Sequence, residues 1–206
     1  MEERPVIAIE HLEEGLSPWI LLEYRHSSII IGRDRLWFTN VPRRYHSILA
    51  RYGCVFEESV LDLIDHSRLL ILDPVARVRL STKDLDNVDA IVIGGILGDH
   101  PPRRRTYKYL SSRAPDSLKR NIGEGQYSID GAVYVVREFL RRGCIDCIEY
   151  VDGVRIESIE NGVKCIIELP FRYPLVKGIP LIAPGLREYL LHRRLPNWLL
   201  KEFLSK

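Results

Sequence analysis

The residues that could do chemistry are concentrated in one segment, Ile91 to Thr106, which reads Ile-Val-Ile-Gly-Gly-Ile-Leu-Gly-Asp-His-Pro-Pro-Arg-Arg-Arg-Thr. An apolar run leads into a turn with three glycines, and a carboxylate, an imidazole and three guanidinium groups follow closely. Glycine lets a backbone approach a ligand closely and adopt positive φ at low cost. Open α/β sheets bind their ligands at the carboxyl ends of their strands. The segment therefore predicts a small-molecule cofactor with reactive side chains beside it.

A second glycine turn, Gly123-Glu124-Gly125-Gln126, precedes a predicted helix. Ser128 or Asp130 is suited to cap that helix, whose first turn carries N–H groups without partners inside the helix. If this turn meets the first one, exposed backbone and helix donors surround the same ligand.

Three acidic residues, Glu10, Glu13 and Glu14, lie at or just after the first predicted strand. One interpretation is a solvated turn whose charges favour the start of the next helix. The other is a group of carboxylates that hold a cationic substrate and accept its proton. His11 and His100 are histidines of the kind that more often form structural hydrogen bonds than act as bases.

The elements that must position these groups alternate between apolar strands and capped helices, which predicts an α/β protein with a mostly parallel sheet flanked by helices. Ser17-Pro18 is a helix start, Gly32 a helix stop, and a further helix is predicted from Pro42 to Gly53. Strands are predicted at 6–10, 35–39, 69–72, 90–93 and 117–122, and a helix at 129–142.

After residue 143 the pattern changes to short alternating segments, which predict a small strand extension at 147–151, 154–157 and 163–169. Asn161-Gly162 is a typical hairpin turn. Residues 170–174, Pro-Phe-Arg-Tyr-Pro, are interpreted as a rigid aromatic loop, and the tail from Pro184 as helical. The sequence is divided into an N-terminal Rossmann-like α/β lobe, 1–80, and a second lobe, 81–206, that includes the C-terminal extension.

Composition sets outer limits on function. The 206 residues carry 30 Lys and Arg against 28 Asp and Glu, and a net charge of +2 decides nothing about nucleic acid. The apolar runs are too short to span a bilayer, so we expect a cytoplasmic protein without a membrane partner. Cys144 and Cys147 form the one Cys-x-x-Cys, which favours a buried thiol pair or a disulfide over zinc, and no metal site is expected.

Four blocks of the sequence together resemble one family. They are residues 9–24, starting Ile-Glu-His-Leu-Glu-Glu-Gly; the string Gly-Gly-Ile-Leu-Gly-Asp-His-Pro-Pro-Arg from Gly94; Gly123 with Gln126 and Asp130-Gly131-Ala132; and Pro-Phe-Arg-Tyr from Pro170. The chain is similar to the branch of the SPOUT superfamily that contains a eukaryotic protein-arginine methyltransferase and its archaeal relatives. The blocks are distributed over most of the chain.

The resemblance implies S-adenosylmethionine as the cofactor and a C-terminal lobe tied in a trefoil knot, an exception to unknotted folding. It implies that the two glycine turns bind this cofactor, through residues Gly94, Gly95, Ile96, Leu97, Gly98, Asp99, Ile122, Gly123, Gln126, Ser128 and Ala132. Adenine recognition by main-chain groups fits exposed glycine backbone.

For the reaction, the resemblance raises the expectation that Glu13, Glu14 and Asp99 act in catalysis. Candidate substrate contacts are Glu10, Arg103 and Arg105, and Trp19 through a cation–π contact, although a core position is the more usual one for such a tryptophan. Arg103 and Arg105 are equally suited to a cofactor carboxylate, an RNA phosphate or acids of the protein itself.

Three functions are consistent with these residues. The favoured one is methylation of an arginine on a ribosomal protein or the ribosome. The first alternative is a SPOUT RNA methyltransferase acting on rRNA or tRNA, for which the arginine pairs argue. The second is a non-catalytic nucleotide-binding module. A monomer and a homodimer are both compatible with the sequence.

Overall fold

The computed structural model describes residues 5–99, 101–160 and 163–204. Its centre is a six-stranded sheet in the order β3-β2-β1-β5-β4-β6, and every strand pair in it is parallel. The mostly parallel sheet predicted from the sequence is therefore confirmed. The strands are β1 (Val6–His11), β2 (Leu36–Thr39), β3 (Cys54–Val55), β4 (Leu69–Leu72), β5 (Ala90–Gly95) and β6 (Leu118–Arg120).

The central strands are apolar along their length because the sheet is covered on both faces. All four residues of β4 are buried, and so are the first four residues of β5. One face packs against two long helices, and the other packs against a smaller cluster that includes Val60, Leu110 and Ala114. β5 lies between β1 and β4, so strands from both sides of residue 80 share one sheet.

The two long helices are α1 (Pro18–Ile31) and, further along the chain, Ile129–Arg142. The Ser17 side chain accepts a hydrogen bond from the N–H of Ile20 at the first start, and Ser128 accepts one from Gly131 at the second. Gly32, with φ of 91°, ends the first helix. Both predicted helices are therefore confirmed with their caps.

The predicted helix between Pro42 and Gly53 is wrong in extent. The structure has a 3₁₀ turn at Arg43–Tyr45 and a short α2 (His46–Leu49). The cause is tertiary, because residues 54 and 55 leave the helix to pair with β2. Gly53 passes so close to that strand that a Cβ on it would lie only 2.4 Å from the Leu36 carbonyl oxygen. A further short helix, α3 (Val60–Leu63), follows, and the helix at Ile129–Arg142 is α4.

The C-terminal extension is built from longer strands than predicted. β7 (Tyr150–Glu160), β8 (Val163–Val176) and β9 (Ile179–Pro180) form an antiparallel sheet, which α5 (Leu186–His192) and α6 (Asn197–Leu204) follow. Residues 170–174 belong to β8 and are not a loop, because residues 172–174 pair with β7, with Tyr173 opposite Val151. The predicted turn at Asn161-Gly162 lies outside the described residues.

A disulfide joins Cys144 and Cys147 just before β7, in agreement with the preferred interpretation of that pair. The strand predicted from residue 147 begins only at Tyr150, after this bridged turn. In the parts of the chain that the structure describes, every helix is too short or too polar to cross a bilayer.

Candidate active site

A cavity opens at the carboxyl edge of the parallel sheet, where β4 and β5 end. The turn after β5 forms one wall, and residues 121–129 with the start of α4 form another. The two glycine-rich turns, far apart in sequence, therefore line one cavity. Its apolar surface comes from Leu72, Ile93, Ile96, Ile122 and Ala132.

All but two of the residues predicted to hold the cofactor line this cavity: Gly94, Ile96, Gly98, Asp99, Ile122, Gly123, Gln126, Ser128 and Ala132. Gly95 does not, because it packs against α1, where a Cβ would lie 2.2 Å from the Tyr24 hydroxyl. Leu97 faces a neighbouring groove instead.

Direct contacts fix the two turns to each other and to β8. The Gln126 side-chain amide donates to the Asp99 carbonyl oxygen at 2.8 Å, and the Gln126 carbonyl accepts from the Arg172 N–H at 2.7 Å. A Cβ on Gly98 would lie 2.4 Å from Phe171 Cε1, so only glycine lets this turn lie against the buried ring. The shape of the cavity thus depends on all three segments.

A second groove adjoins the cavity and carries the acidic residues. It is lined by Glu13, Glu14, Tyr45, Leu97 and Tyr109, and by the apolar side chains of Leu12, Leu16 and Ile20. We call it the outer groove. Glu14 is exposed, whereas Glu13 is partly buried at 24% exposure.

Arg105 lies where the cavity and the outer groove meet, since it lines both. Its Nη1 donates to Glu13 Oε1 at 2.9 Å, its Nε lies 2.7 Å from Asp99 Oδ2, and its Nη2 donates to the Leu97 carbonyl oxygen. The same Glu13 oxygen accepts the Leu97 N–H at 3.0 Å. The structure therefore brings Glu13, Asp99 and Arg105 together, as three of the predicted site residues.

Glu10, a predicted substrate residue, lines neither the cavity nor the outer groove. It is 1% exposed, and its carboxylate accepts hydrogen bonds from Thr39 Oγ1, Ser59 Oγ and the Val60 N–H. These bonds tie β1 to β2 and to the start of α3. Because side chains of the protein already satisfy both oxygens, we exclude Glu10 from the substrate site.

Trp19 also lies away from both cavities. It packs in the cluster formed by α1, β7, β8 and α5, and its indole N–H donates to Glu23 Oε1 at 2.6 Å. Of the two interpretations of Trp19, the structure agrees with the core position. Arg103, by contrast, is exposed and lines the cavity at the carboxyl edge of the sheet.

A buried polar cluster beneath α4 was missed by the sequence interpretation. Glu23 accepts the Ile129 N–H at 2.9 Å, and His26 Nδ1 lies 2.7 Å from Asp130 Oδ2. Burial, together with the nearby Asp130 carboxylate, raises the pKa of Glu23 to about 8. The available signal was an acidic residue, Glu23, flanked by apolar residues on a helix that must pack on a sheet.

Asp73 was missed as well, although it directly follows β4 at the edge of the sheet that binds ligands. It lines the cavity, and its carboxylate accepts from Ser111 Oγ at 2.5 Å and from the Val75 N–H at 3.1 Å. His11 is buried against the Tyr24 hydroxyl, and burial lowers its pKa. His100 lies outside the described residues.

Fold and site together define a class: an α/β protein with a ligand cavity, built from two glycine-rich turns, beside an acidic groove. Within this class, the chain belongs to the family of Protein arginine N-methyltransferase SFM1-like proteins, whose model matches residues 6–195. The resemblance to a family with a protein-arginine methyltransferase is thereby confirmed.

Individual relatives agree with this assignment. The chain is 32% identical to the protein arginine N-methyltransferase SFM1 of Saccharomyces cerevisiae in an alignment 200 residues long, which covers 88% of this chain and 92% of the relative. The crystal structure of the yeast enzyme complexed with SAM superposes with a TM-score of 0.77 at 29% identity, over 92% of this chain and 91% of the other. The crystal structure of a dual specific Trm10 from Thermococcus kodakaraensis shares the fold, with a TM-score of 0.57 at 17% identity, over 69% of this chain and 95% of the other.

Proposed function

We propose that this protein is an S-adenosylmethionine-dependent methyltransferase that modifies an arginine of a protein. The observation that carries the proposal is the meeting of the two glycine-rich turns in one cavity next to an acidic groove. The solved structures of the yeast relative hold SAM, SAH or MTA, which are the cofactor, its product and a fragment of it.

The residues of the cavity fit such a cofactor. The apolar side chains of Ile93, Ile96 and Ile122 offer a surface for adenine, and the turns around Gly98 and Gly123 expose main-chain donors and acceptors. Ser128 lines the cavity at the start of α4, where Glu23 and Ser128 itself already accept the N–H groups of Ile129 and Gly131. We assign cofactor binding to the predicted residues that line the cavity and leave Gly95 and Leu97 to packing and to the outer groove.

An arginine acceptor places specific demands on the chain. Its guanidinium has a pKa above about 12, so it must be held in plane and must lose a proton as it is methylated. The bound cofactor supplies the methyl group from its sulfonium. Glu13 and Asp99 are suited to hold the guanidinium fork and to accept the proton, and Glu14 adds negative charge at the mouth of the groove.

The charge of the outer groove also separates a protein acceptor from RNA. The lining of the groove carries two carboxylates, Glu13 and Glu14, and one guanidinium, Arg105, which is paired with Glu13. The excess of one negative charge favours a cationic side chain over a phosphate. We further propose a ribosomal protein as the acceptor, as the family resemblance implies.

The test is transfer of label from S-adenosylmethionine carrying a radioactive methyl group to purified ribosomes and to ribosome-free extract. Label that survives ribonuclease, disappears with protease and elutes as methylarginine after hydrolysis supports the proposal. Label confined to RNA contradicts it in favour of an RNA methyltransferase. If calorimetry detects binding of another nucleotide but no binding of S-adenosylmethionine, the result contradicts a methyltransferase function of either kind.

Three structural properties complete the proposal. We propose that the lobe of residues 81–206 contains a trefoil knot, as the family resemblance implies, and that residues 1–80 form the N-terminal lobe. An experimental chain trace tests the knot. We propose a monomer or a homodimer, which light scattering distinguishes, acting in the cytoplasm.

A further inference from the structure

Each of the three nitrogens of the Arg105 guanidinium has one acceptor on the protein. Glu13 binds Nη1, Asp99 binds Nε and the Leu97 carbonyl binds Nη2. Two carboxylates and one carbonyl arranged around a planar fork suit a guanidinium group, because contacts with ionised acceptors are stronger than neutral ones. The structure thus contains a receptor for the functional group that the proposed acceptor carries.

The position of this receptor matters as much as its composition. Asp99 and Arg105 line the cofactor cavity, while Glu13, Leu97 and Arg105 line the outer groove. A side chain that enters through the outer groove therefore meets Arg105 before it reaches the cavity.

We propose that Arg105 is an internal stand-in for the target arginine, which displaces it and takes over its contacts with Glu13, Asp99 and the Leu97 carbonyl. The proposal rests on the proposed function, since only an arginine acceptor can make this exchange. The resident side chain keeps both carboxylates paired until the target arrives, so neither charge is left unpaired in the partly buried wall.

The segment that carries Arg105 is suited to the exchange. Its side chain is 22% exposed, so it has a path to solvent. The preceding Arg104 has φ of 53°, a left-handed conformation that is uncommon for a residue with a side chain. A π-helical turn at Tyr107–Ser111 follows, and such turns occur frequently at functional sites. Movement of Arg105 thus begins from a backbone that is already strained.

The test removes the stand-in and offers a free guanidinium. A tethered occupant competes at a millimolar or higher effective concentration, so Arg105→Ala should bind agmatine about tenfold or more tightly than the wild-type protein. Calorimetry without cofactor measures this affinity. Putrescine, which has an amine in place of the guanidinium, should not gain, and Glu13→Gln on the Arg105→Ala background should abolish the gain.

Arg113→Ala is the matched control, because Arg113 is an exposed arginine outside both cavities. It should bind agmatine no better than the wild-type protein does. Arg105→Gln provides the same measurement if the alanine variant does not fold. In methyl-transfer assays, removal of the competitor should also lower the KM for the protein acceptor.

Unchanged agmatine affinity in both Arg105 variants would overturn the proposal, as would a raised acceptor KM, which would make Arg105 a fixed part of the wall. The binding assay needs no methyl transfer, so it is independent of the labelling experiment on ribosomes. If the labelling fails but Arg105→Ala binds agmatine more tightly, the proposed function is rejected and the protein still contains a guanidinium-binding site. The reverse result would reject only the stand-in.

Discussion

Replacing Gly98 with alanine is expected to weaken cofactor binding while the fold survives. The added methyl group would lie 2.4 Å from Phe171 Cε1 and 3.1 Å from Gln126 Oε1, whereas ordinary contacts begin at 3.4 Å. Either the ring or the turn must therefore move by about 1 Å. Phe171 is buried and in contact with Tyr173, so we expect the turn to move and to stretch its 2.8 Å hydrogen bond to Gln126.

The size of the effect follows from the cost of overpacking. Inserting a methyl group into a packed site costs about 1–3 kcal/mol. If the displaced turn must return to its place to hold the cofactor, the whole cost appears in binding. The dissociation constant for S-adenosylmethionine should then rise by about 5- to 150-fold.

Calorimetric titration of S-adenosylmethionine measures the change, with thermal unfolding as the check on folding. Gly15→Ala is the matched control, because its new methyl group would meet only the Tyr45 hydroxyl at 3.6 Å. Phe171→Leu removes the atom that Gly98→Ala would strike, so the double variant should recover much of the lost affinity. Wild-type affinity in Gly98→Ala, or simple additivity in the double variant, would refute this reasoning.

Further predictions concern the acids. Glu13→Gln should lower kcat by about tenfold or more, because proton removal needs the charge of this carboxylate. The acceptor KM should change little, because the resident and the incoming guanidinium groups lose the same contact. Glu14→Gln, which changes an exposed side chain, should stay within about twofold in the same initial-rate assay, and equal losses in the two variants would contradict the assigned roles. The raised pKa of Glu23 means that the folded state binds an extra proton between the unfolded pKa near 4.5 and about 8, so stability is lost as pH rises through this window. Between pH 6 and pH 8, urea unfolding should show a loss of about 2 kcal/mol in the free energy of unfolding of the wild-type protein, and no such loss in Glu23→Gln. An equal change in the two proteins would argue against a protonated Glu23.

The local signals in the sequence were sufficient where the physics is local. Ser17 and Ser128 cap the helices that they were predicted to cap, because an N-cap bond involves residues within three positions of each other. The apolar runs predicted four strands of the parallel sheet closely, and the glycine turns predicted the position of the cavity. The helix after Pro42 failed because its length depends on β3 pairing with β2, which no local pattern records.

The roles of the acidic residues required the structure. Glu10, Glu13 and Glu14 are the same residue type within five positions, yet Glu10 is buried near the end of β1, Glu13 binds Arg105 and Glu14 is exposed. Glu10 differs because it lies in β1 and faces the interior of the protein, whereas Glu13 and Glu14 follow the strand. The partners that define their roles lie up to 92 positions away.

The sequence by itself determined the alternation of strands and helices, the caps of the two long helices and the two glycine turns at the edge of the sheet, because each depends on conformational preferences of a few neighbouring residues. Only the tertiary structure decided which acid meets which base. That Arg105 lies between Glu13 and Asp99, and that Glu23 of α1 accepts the Ile129 N–H at the start of α4, follows from how distant segments pack, since hydrogen-bond partners are set by position in space.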